Sequence, residues 1–358
     1  NSQTFTLAAA NDSGDINIRN VGSLTIGTVD TLVGVTILDL INNNSGNDNI
    51  TLIAVSPMIV NAAVNNMDGG NILLAAQGTA NTMAGVFNTA DDDLQINANL
   101  TTTGGNGNVE LLAGGDILQT TGTVSAVGTG TVTLSAGEDF NAGTRQNGNA
   151  NAALVMSDPA IINTEDGNII LRAPESVTLA RVNADTDGDA LVAGLNTSST
   201  VLVTADFDGV GGGLLDGMGT IIDGRTTDEA ANITAIGAAL RAGSGVGDGV
   251  AGTDDIDTAS TNSQTFTLAA VTDSGDINVR NVGSFTIDTV NTLVGVTILD
   301  DVTIGSDAQD SGNDDITLIA TSPEIINAAV VDNDGGDILL AAQGSTNTMA
   351  GVFNAADD

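Results

Sequence analysis

The chain is predicted to be all-β and wound as a parallel β-helix, and three features lead there: a long internal repeat, a short strand signature inside it, and an aliphatic core composition. Residues Asn1 to Asp92 return at Asn262 to Asp358 with most positions unchanged. Asn1-Ser2-Gln3-Thr4-Phe5-Thr6-Leu7 reappears as Asn262-Ser263-Gln264-Thr265-Phe266-Thr267-Leu268, an offset of 261, and Asp39 still matches Asp300. From Ser45, which matches Ser311, the offset is 266, so the segment after Asp39 tolerates five added residues as a loop would. The expected organisation is one long repeat over 1–261 of a continuous solenoid, and the start of a near-identical one over 262–358. Two copies of this kind read as a window on a longer array.

Within the long repeat a turn of Gly, Asp or Asn is followed by aliphatic, any residue, aliphatic, any residue and usually Ala. Instances are Phe5-Leu7-Ala9, Ile50-Leu52-Ala54, Ile72-Leu74-Ala76, Leu94-Ile96-Ala98, Val109-Leu111-Ala113, Val132-Leu134-Ala136 and Ile169-Leu171-Ala173. Alternation of period two puts these side chains on one face and Thr51, Gln95, Glu110 and Thr133 on the other. The turns before them, such as Asp68-Gly69-Gly70-Asn71, Gly105-Asn106-Gly107-Asn108 and Asp166-Gly167-Asn168, supply residues that accept positive φ. Ile50 to Ile72 and Ile72 to Leu94 are both 22 residues, and Val109 to Val132 is 23. A solenoid of about 22 residues per coil explains that spacing, because each coil stacks like residues on like. At about 4.8 Å per rung, 261 residues would make roughly 12 coils and rise near 57 Å, within a rod of roughly 75 to 80 Å. Helices are excluded by 45 glycines, by Thr, Val and Ile in the apolar runs, and by the lack of an i, i+3, i+4 stripe. Asn141 to Ala153, Asp206 to Gly219 and Arg241 to Thr261 break the rhythm and read as protruding loops, the last alternatively as a flexible joint.

Composition narrows function. A net charge of −38, from 45 acids against 7 arginines, argues against nucleic acid or an anionic membrane surface as partner and favours cations. The chain has no Lys, Cys, His, Trp or Tyr. Disulfides, zinc or haem ligation, thiol nucleophiles, imidazole bases and Schiff-base lysines are therefore ruled out. Hydrophobic residues make up 41% with only 2% aromatic, which suits a thin, regular aliphatic core. No apolar run approaches the roughly 18 residues of a membrane span, so no membrane insertion is expected in these residues.

Val109-Glu110-Leu111-Leu112-Ala113-Gly114-Gly115-Asp116-Ile117, Val132-Thr133-Leu134-Ser135-Ala136-Gly137-Glu138-Asp139, Gly336-Asp337-Ile338-Leu339-Leu340-Ala341-Ala342 and Ile18-Arg19-Asn20-Val21-Gly22-Ser23-Leu24-Thr25-Ile26 resemble the repeats of filamentous-haemagglutinin-like proteins. These are very large, secreted bacterial surface proteins. The resemblance implies a right-handed parallel β-helix, export to the bacterial cell surface, and a role in adhesion or surface fibres.

Candidate metal ligands are Asn183, Asp185, Asp187 and Asp189, oxygen donors at alternate positions with Gly188 between the last two, as in the first half of a calcium loop. Gly194 stands where such a loop needs its bidentate carboxylate, so an acidic turn is the competing reading and the stronger one. Asp332 to Asp337 and Asp206 to Gly209 read the same way. Ser45-Gly46-Asn47-Asp48-Asn49-Ile50-Thr51-Leu52 resembles half of a calcium-binding nonapeptide roll but lacks tandem copies. Asn49 becomes Asp315, Asn71 becomes Asp337 and Gly27 becomes Asp288 in the second copy. Carboxylates stacked at rung spacing repel unless counterions bind, which points to weak, distributed calcium binding rather than one tight site. Arg19 and Arg280 are expected to pair locally with Asp15 and Asp276, or else to bridge to a neighbouring molecule.

No catalytic residue, cofactor site or required cofactor is assigned. The expected function is a non-catalytic component of a long extracellular fibre whose partners are other copies of itself and divalent cations. A stalk presenting an adhesive tip is the alternative. A secreted β-helix enzyme acting on polysaccharides is the third, and it is disfavoured because an active site is built once from irregular loops whereas this chain repeats its surfaces.

Overall fold

The computed structural model describes residues 4–39, 47–77, 92–141, 144–147, 151–186, 199–207, 218–225, 230–247, 255–260, 265–299 and 314–343. Among them there is no helix, and strands collect into three long sheets of eight, twelve and thirteen strands, here the first, second and third faces. One coil visits all three: Met58–Val60 on the first, Val64–Asn66 on the second and Ile72–Ala76 on the third. Every pairing within these faces is parallel, as in Ile72↔Ile50 and Ile72↔Val109, so the chain is a parallel β-solenoid.

Alternation sets the core. On the third face Ile50, Leu52 and Ala54 are fully buried while Thr51 and Ile53 between them are only partly covered. Like side chains then stack along the axis. Ile16, Ile50, Ile72, Val109, Val132, Ile169 and Val201 form one column, and Leu24, Met58, Leu94, Ile117, Leu154, Val177 and Ile221 another. Their aliphatic stems contribute about 1.5–3 kcal/mol each on burial, and no residue here has to be large for the column to close.

Coil length is not constant. Successive third-face partners from Ile16 to Ala238 lie 34, 22, 37, 23, 37, 32 and 37 residues apart, and Phe5 and Leu24 on the first face are only 19 apart. The expected equivalence of Ile72 and Leu94 fails, because Leu94 pairs with Met58 and Ile117 on the first face. The aliphatic triplet is common to all three faces, so spacing alone does not tell a face from a coil.

Between Phe5 on the first face and Phe266 on the third, the chain completes about eight and a half coils rather than twelve. The rise is therefore roughly 41 Å, not 57 Å, at about 4.8 Å per rung. The twelve strands of the second face span roughly 53 Å on the same spacing.

Ladders run through the boundary between copies. Gly237–Ala242 pairs along its length with Phe266–Thr272, and Ile256–Ala259 with Ile277–Val282. A flexible joint at Arg241 to Thr261 is thus overturned for its described part, since Ile256–Ala259 is a rung and Val246 bridges Ile221 to Ile277. Residues 248–254 and 261 lie outside the described residues, as do 142–143 and 148–150 of Asn141 to Ala153 and 208–217 of Asp206 to Gly219. What is described before 148 is a hairpin, Glu138–Asn141 against Thr144–Asn147.

Internal pairing is the same in both copies: Phe5↔Leu24 recurs as Phe266↔Phe285, Ala9↔Val35 as Ala270↔Val296, and Ile16↔Ile50 as Ile277↔Ile316. The placement differs. The two halves of Phe266–Thr272 both sit on the third face and then diverge, to Phe285–Ile287 and to Val296–Ile298, while Ile277–Val282 covers the first and second faces together. A corner opens in the middle of the old third face, and the old corner between the first and second flattens. The second copy therefore starts half a coil out of phase with the first.

The new corner carries the hairpin Thr289–Val290 and Leu293–Val294, which folds back over the outside of the third face. Val290 packs on Ala239 and Ala269, with Leu202 and Leu293 beside them, as a second small apolar cluster. Val290 is 4% exposed, whereas its counterpart Val29 is 45%.

Candidate functional site

The corner that leads into the third face is the most regular surface of the molecule. There the residue before each strand accepts, through its side chain, the backbone N–H of its equivalent one coil on. Asn49 N–H donates to Asp15 at 2.7 Å, Asn71 to Asn49 at 2.9 Å, Asn108 to Asn71 at 2.8 Å and Thr131 to Asn108 at 2.8 Å. Thr200 N–H closes on Asn168 at 3.2 Å further along. Asp15, Asn49, Asn71, Asn108 and Glu110 border an open groove of about 410 Å³ on this corner.

Glycine precedes most ladder residues, and the reason is close approach. A Cβ on Gly70 would stand 2.0 Å from the Asp48 carbonyl oxygen, and one on Gly167 1.9 Å from that of Gly130. The expected positive φ is met in the first of the three turns, at Gly69 (φ 81°), and at no residue of Gly105-Asn106-Gly107-Asn108 or Asp166-Gly167-Asn168.

The second copy rebuilds this corner in acid. Asp315 N–H donates to Asp276 and Asp337 N–H to Asp315, both at 2.7 Å. A parallel pair of contacts runs beside it: Gly275 N–H to Asp314 at 2.6 Å and Asp314 N–H to Asp334 at 2.8 Å, repeating Asp48 N–H to Asp68 at 2.8 Å. At these five positions the first copy has three carboxylates, Asp15, Asp48 and Asp68, and the second has five. Each accepted N–H offsets part of the repulsion between rungs, since hydrogen bonds to a carboxylate are among the stronger ones.

Of the four candidate ligands, Asn183 and Asp185 are described and Asp187 and Asp189 lie outside the described residues. Asn183 ends the strand Arg181–Asn183 and its Oδ1 accepts the Asp185 N–H at 3.0 Å, a local turn contact, while Asp185 is buried. In the Asp332 to Asp337 turn, Asp332 Oδ1 accepts the N–H of Asp334 at 2.8 Å and of Gly335 at 3.2 Å. Of Asp206 to Gly209, Asp208 and Gly209 are outside the described residues, and of the half-roll at Ser45, so are Ser45 and Gly46. Among the described residues, no group of three or more His, Cys, Asp or Glu is arranged to hold a metal ion.

The arginines depart from expectation. Arg280 Nε meets Asp255 Oδ2 at 2.8 Å, on the neighbouring coil, rather than Asp276. Arg19 reaches Gln77 Oε1 at 3.3 Å rather than Asp15. In a solenoid a side chain's neighbours lie a coil or more away in the chain, as Asp255 and Gln77 do here. A feature with no sequence forecast is Glu324, whose register partner is the buried Phe285 and whose Oε1 is buried without a hydrogen-bond partner. Burial raises its carboxyl above the ordinary value.

Set against known proteins, the chain matches no family model, no curated protein and no solved structure.

Proposed function

We propose that the chain is a non-catalytic segment of a long extracellular fibre on a bacterial surface, built from tandem solenoid repeats. The observation that supports this is the unbroken parallel ladder from Gly237–Ala242 into Phe266–Thr272, which joins the two copies without a hinge. A repeat that stacks on its neighbour through backbone hydrogen bonds makes length the property that is multiplied by adding copies. The charge of −38 keeps rods soluble and apart, and divalent cations such as calcium, weakly held along the acidic corner of the second copy, draw them together. Right-handed winding belongs to the same proposal, because connections between parallel neighbours in one sheet are overwhelmingly of that hand. So does the kinship with filamentous-haemagglutinin-like surface proteins.

Electron microscopy of chains carrying one, two and three 261-residue repeats, each with calcium and with chelator, tests it. Straight rods that lengthen by roughly 41 Å per repeat, and bundle only with calcium, are expected. Compact beads separated by flexible joints would sink the fibre reading, and lengthening without any response to calcium would remove the cation from it.

A further inference from the structure

The hairpin that each copy carries once is the same object in two settings. Thr28-Val29-Asp30-Thr31-Leu32-Val33 and Thr289-Val290-Asn291-Thr292-Leu293-Val294 differ at one position, and Asp30 and Asn291 hold the turn at φ 55° and 56°. Val33 and Val294 are equally exposed, at 61% and 60%. The other apolar side chains do not match. Val290 is buried and Leu293 packs beside it, whereas Val29 is half-exposed and Leu32 is 39% exposed. Phe5 behaves likewise, at 51% exposed against 0% for Phe266. Hairpin shape is common to both copies, so the difference lies in what the second copy has beneath it.

Beneath it is the closing part of the first copy. Gly237–Ala242 pairs with Phe266–Thr272, which sets Gly237 beside Thr267 and Ala239 beside Ala269. Val290 rests on those two alanines, one from each copy, with Leu202 against them. The seat belongs to this rung. Along the same outward column of the third face, Leu73, Glu110, Thr133, Ile170 and Leu202 come before Ala239. Side chains shrink to a methyl at Ala239 and Ala269, and a strand pair can lie against the sheet there. The first copy supplies its own half of such a seat, with Ala8 in the place of Ala269. Among the described residues, Phe5–Leu7, Ala9–Asn11 and Ile16–Asn20 are the end strands of the three faces.

We propose that the hairpin is a clasp between successive copies, and that Phe5, Val29 and Leu32 form a docking surface for the closing rungs of another copy of this repeat. The junction already formed inside the chain identifies that partner. Thr6 to Asn11 pair with Gly237 to Ala242 of the other copy, as Thr267 to Thr272 do here, and Val29 closes on its Ala239. Asp30 is the one charged residue of the hairpin and stands at its exposed turn. An apolar contact backed by a strand ladder needs no opposite charge, so it suits a partner as acidic as this chain.

The clasp rests on the reading of the chain as stacked tandem repeats, and the experiment separates the two. The chain has no cysteine, so single-cysteine variants report burial through their rate of alkylation. Val29→Cys is compared in the 358-residue chain and in the same chain preceded by one further copy of residues 1–261. Alkylation is expected to slow at least about tenfold in the longer chain, while Val33→Cys stays fast in both. Ala239→Glu in the added copy is expected to restore the fast rate, and Thr133→Glu, on the same column away from the seat, is not. Equal rates for Val29→Cys in the two chains would overturn the clasp, as would protection that Ala239→Glu leaves intact. Electron microscopy of the longer chain tells the two failures apart: straight rods mean that repeats stack without a clasp, and beads mean that the stacking reading has failed as well.

Discussion

Glu324 stands where the first copy has Met58, a fully buried side chain. The carboxyl has entered the column of Phe266 and Phe285, beside a strand, Phe285–Ile287, that carries no titratable group of its own. With the folded value raised above the unfolded one of about 4.3, the neutral form is the one the fold prefers. The stabilising contribution is complete below the unfolded value and disappears as pH rises through the folded value. Glu324→Met should therefore raise stability near pH 7 by about 1 kcal/mol, a figure kept low because the side chain is only half-buried. It should also flatten the fall in melting temperature between mildly acidic and neutral pH. Thermal melts of both proteins across that range check this, and parallel curves would refute it. Residue identity was legible here as far as the aligned pair Met58 and Glu324, but nothing in the sequence said that the position points inward. Arg280 teaches the same lesson from outside: Asp255 precedes it by 25 residues, a distance that a helix or hairpin would not bridge and one coil does.

At the scale of the strand and its turn, the glycine column is the tightest constraint. Carbonyl oxygens of one coil press against the Cα positions of the next at Gly70, Gly107, Gly130 and Gly167. Gly167→Ala places a methyl 1.9 Å from the Gly130 oxygen, so one of two stacked coils must shift. A loss of about 2–3 kcal/mol is expected, read as a lower denaturant midpoint. A midpoint within error of the parent would show that the coils are not packed at this corner. Turn composition and period two were enough to find the strands and the buried alternation in Ile50-Leu52-Ala54. They were not enough to sort strands into faces. Leu94-Gln95-Ile96 and Ile72-Leu73-Leu74 present the same pattern of aliphatic residues to the core, and only pairing distinguishes them. The candidate metal turn shows the converse limit, since the side-chain oxygen of Asn183 accepts the backbone N–H of Asp185 in a local turn contact.

For the whole molecule, the continuity of the ladders makes the boundary between copies as protected as the interior. Amides of Phe266–Thr272 and Ile277–Val282 should exchange with solvent no faster than those of Val109–Ala113. Fast exchange confined to the boundary strands would mean two units rather than one rod. The half-coil offset between copies has a further result. The hairpin at Thr28–Val33 leaves the corner between the first and second faces, and the hairpin at Thr289–Val294 leaves the middle of the third, which is the opposite side of the prism. The same hairpin is thus displayed on one side by the first copy and on the opposite side by the second. A rod that carries one hairpin on each flank has two sides with a protruding corner, where a rod in phase from copy to copy would have one.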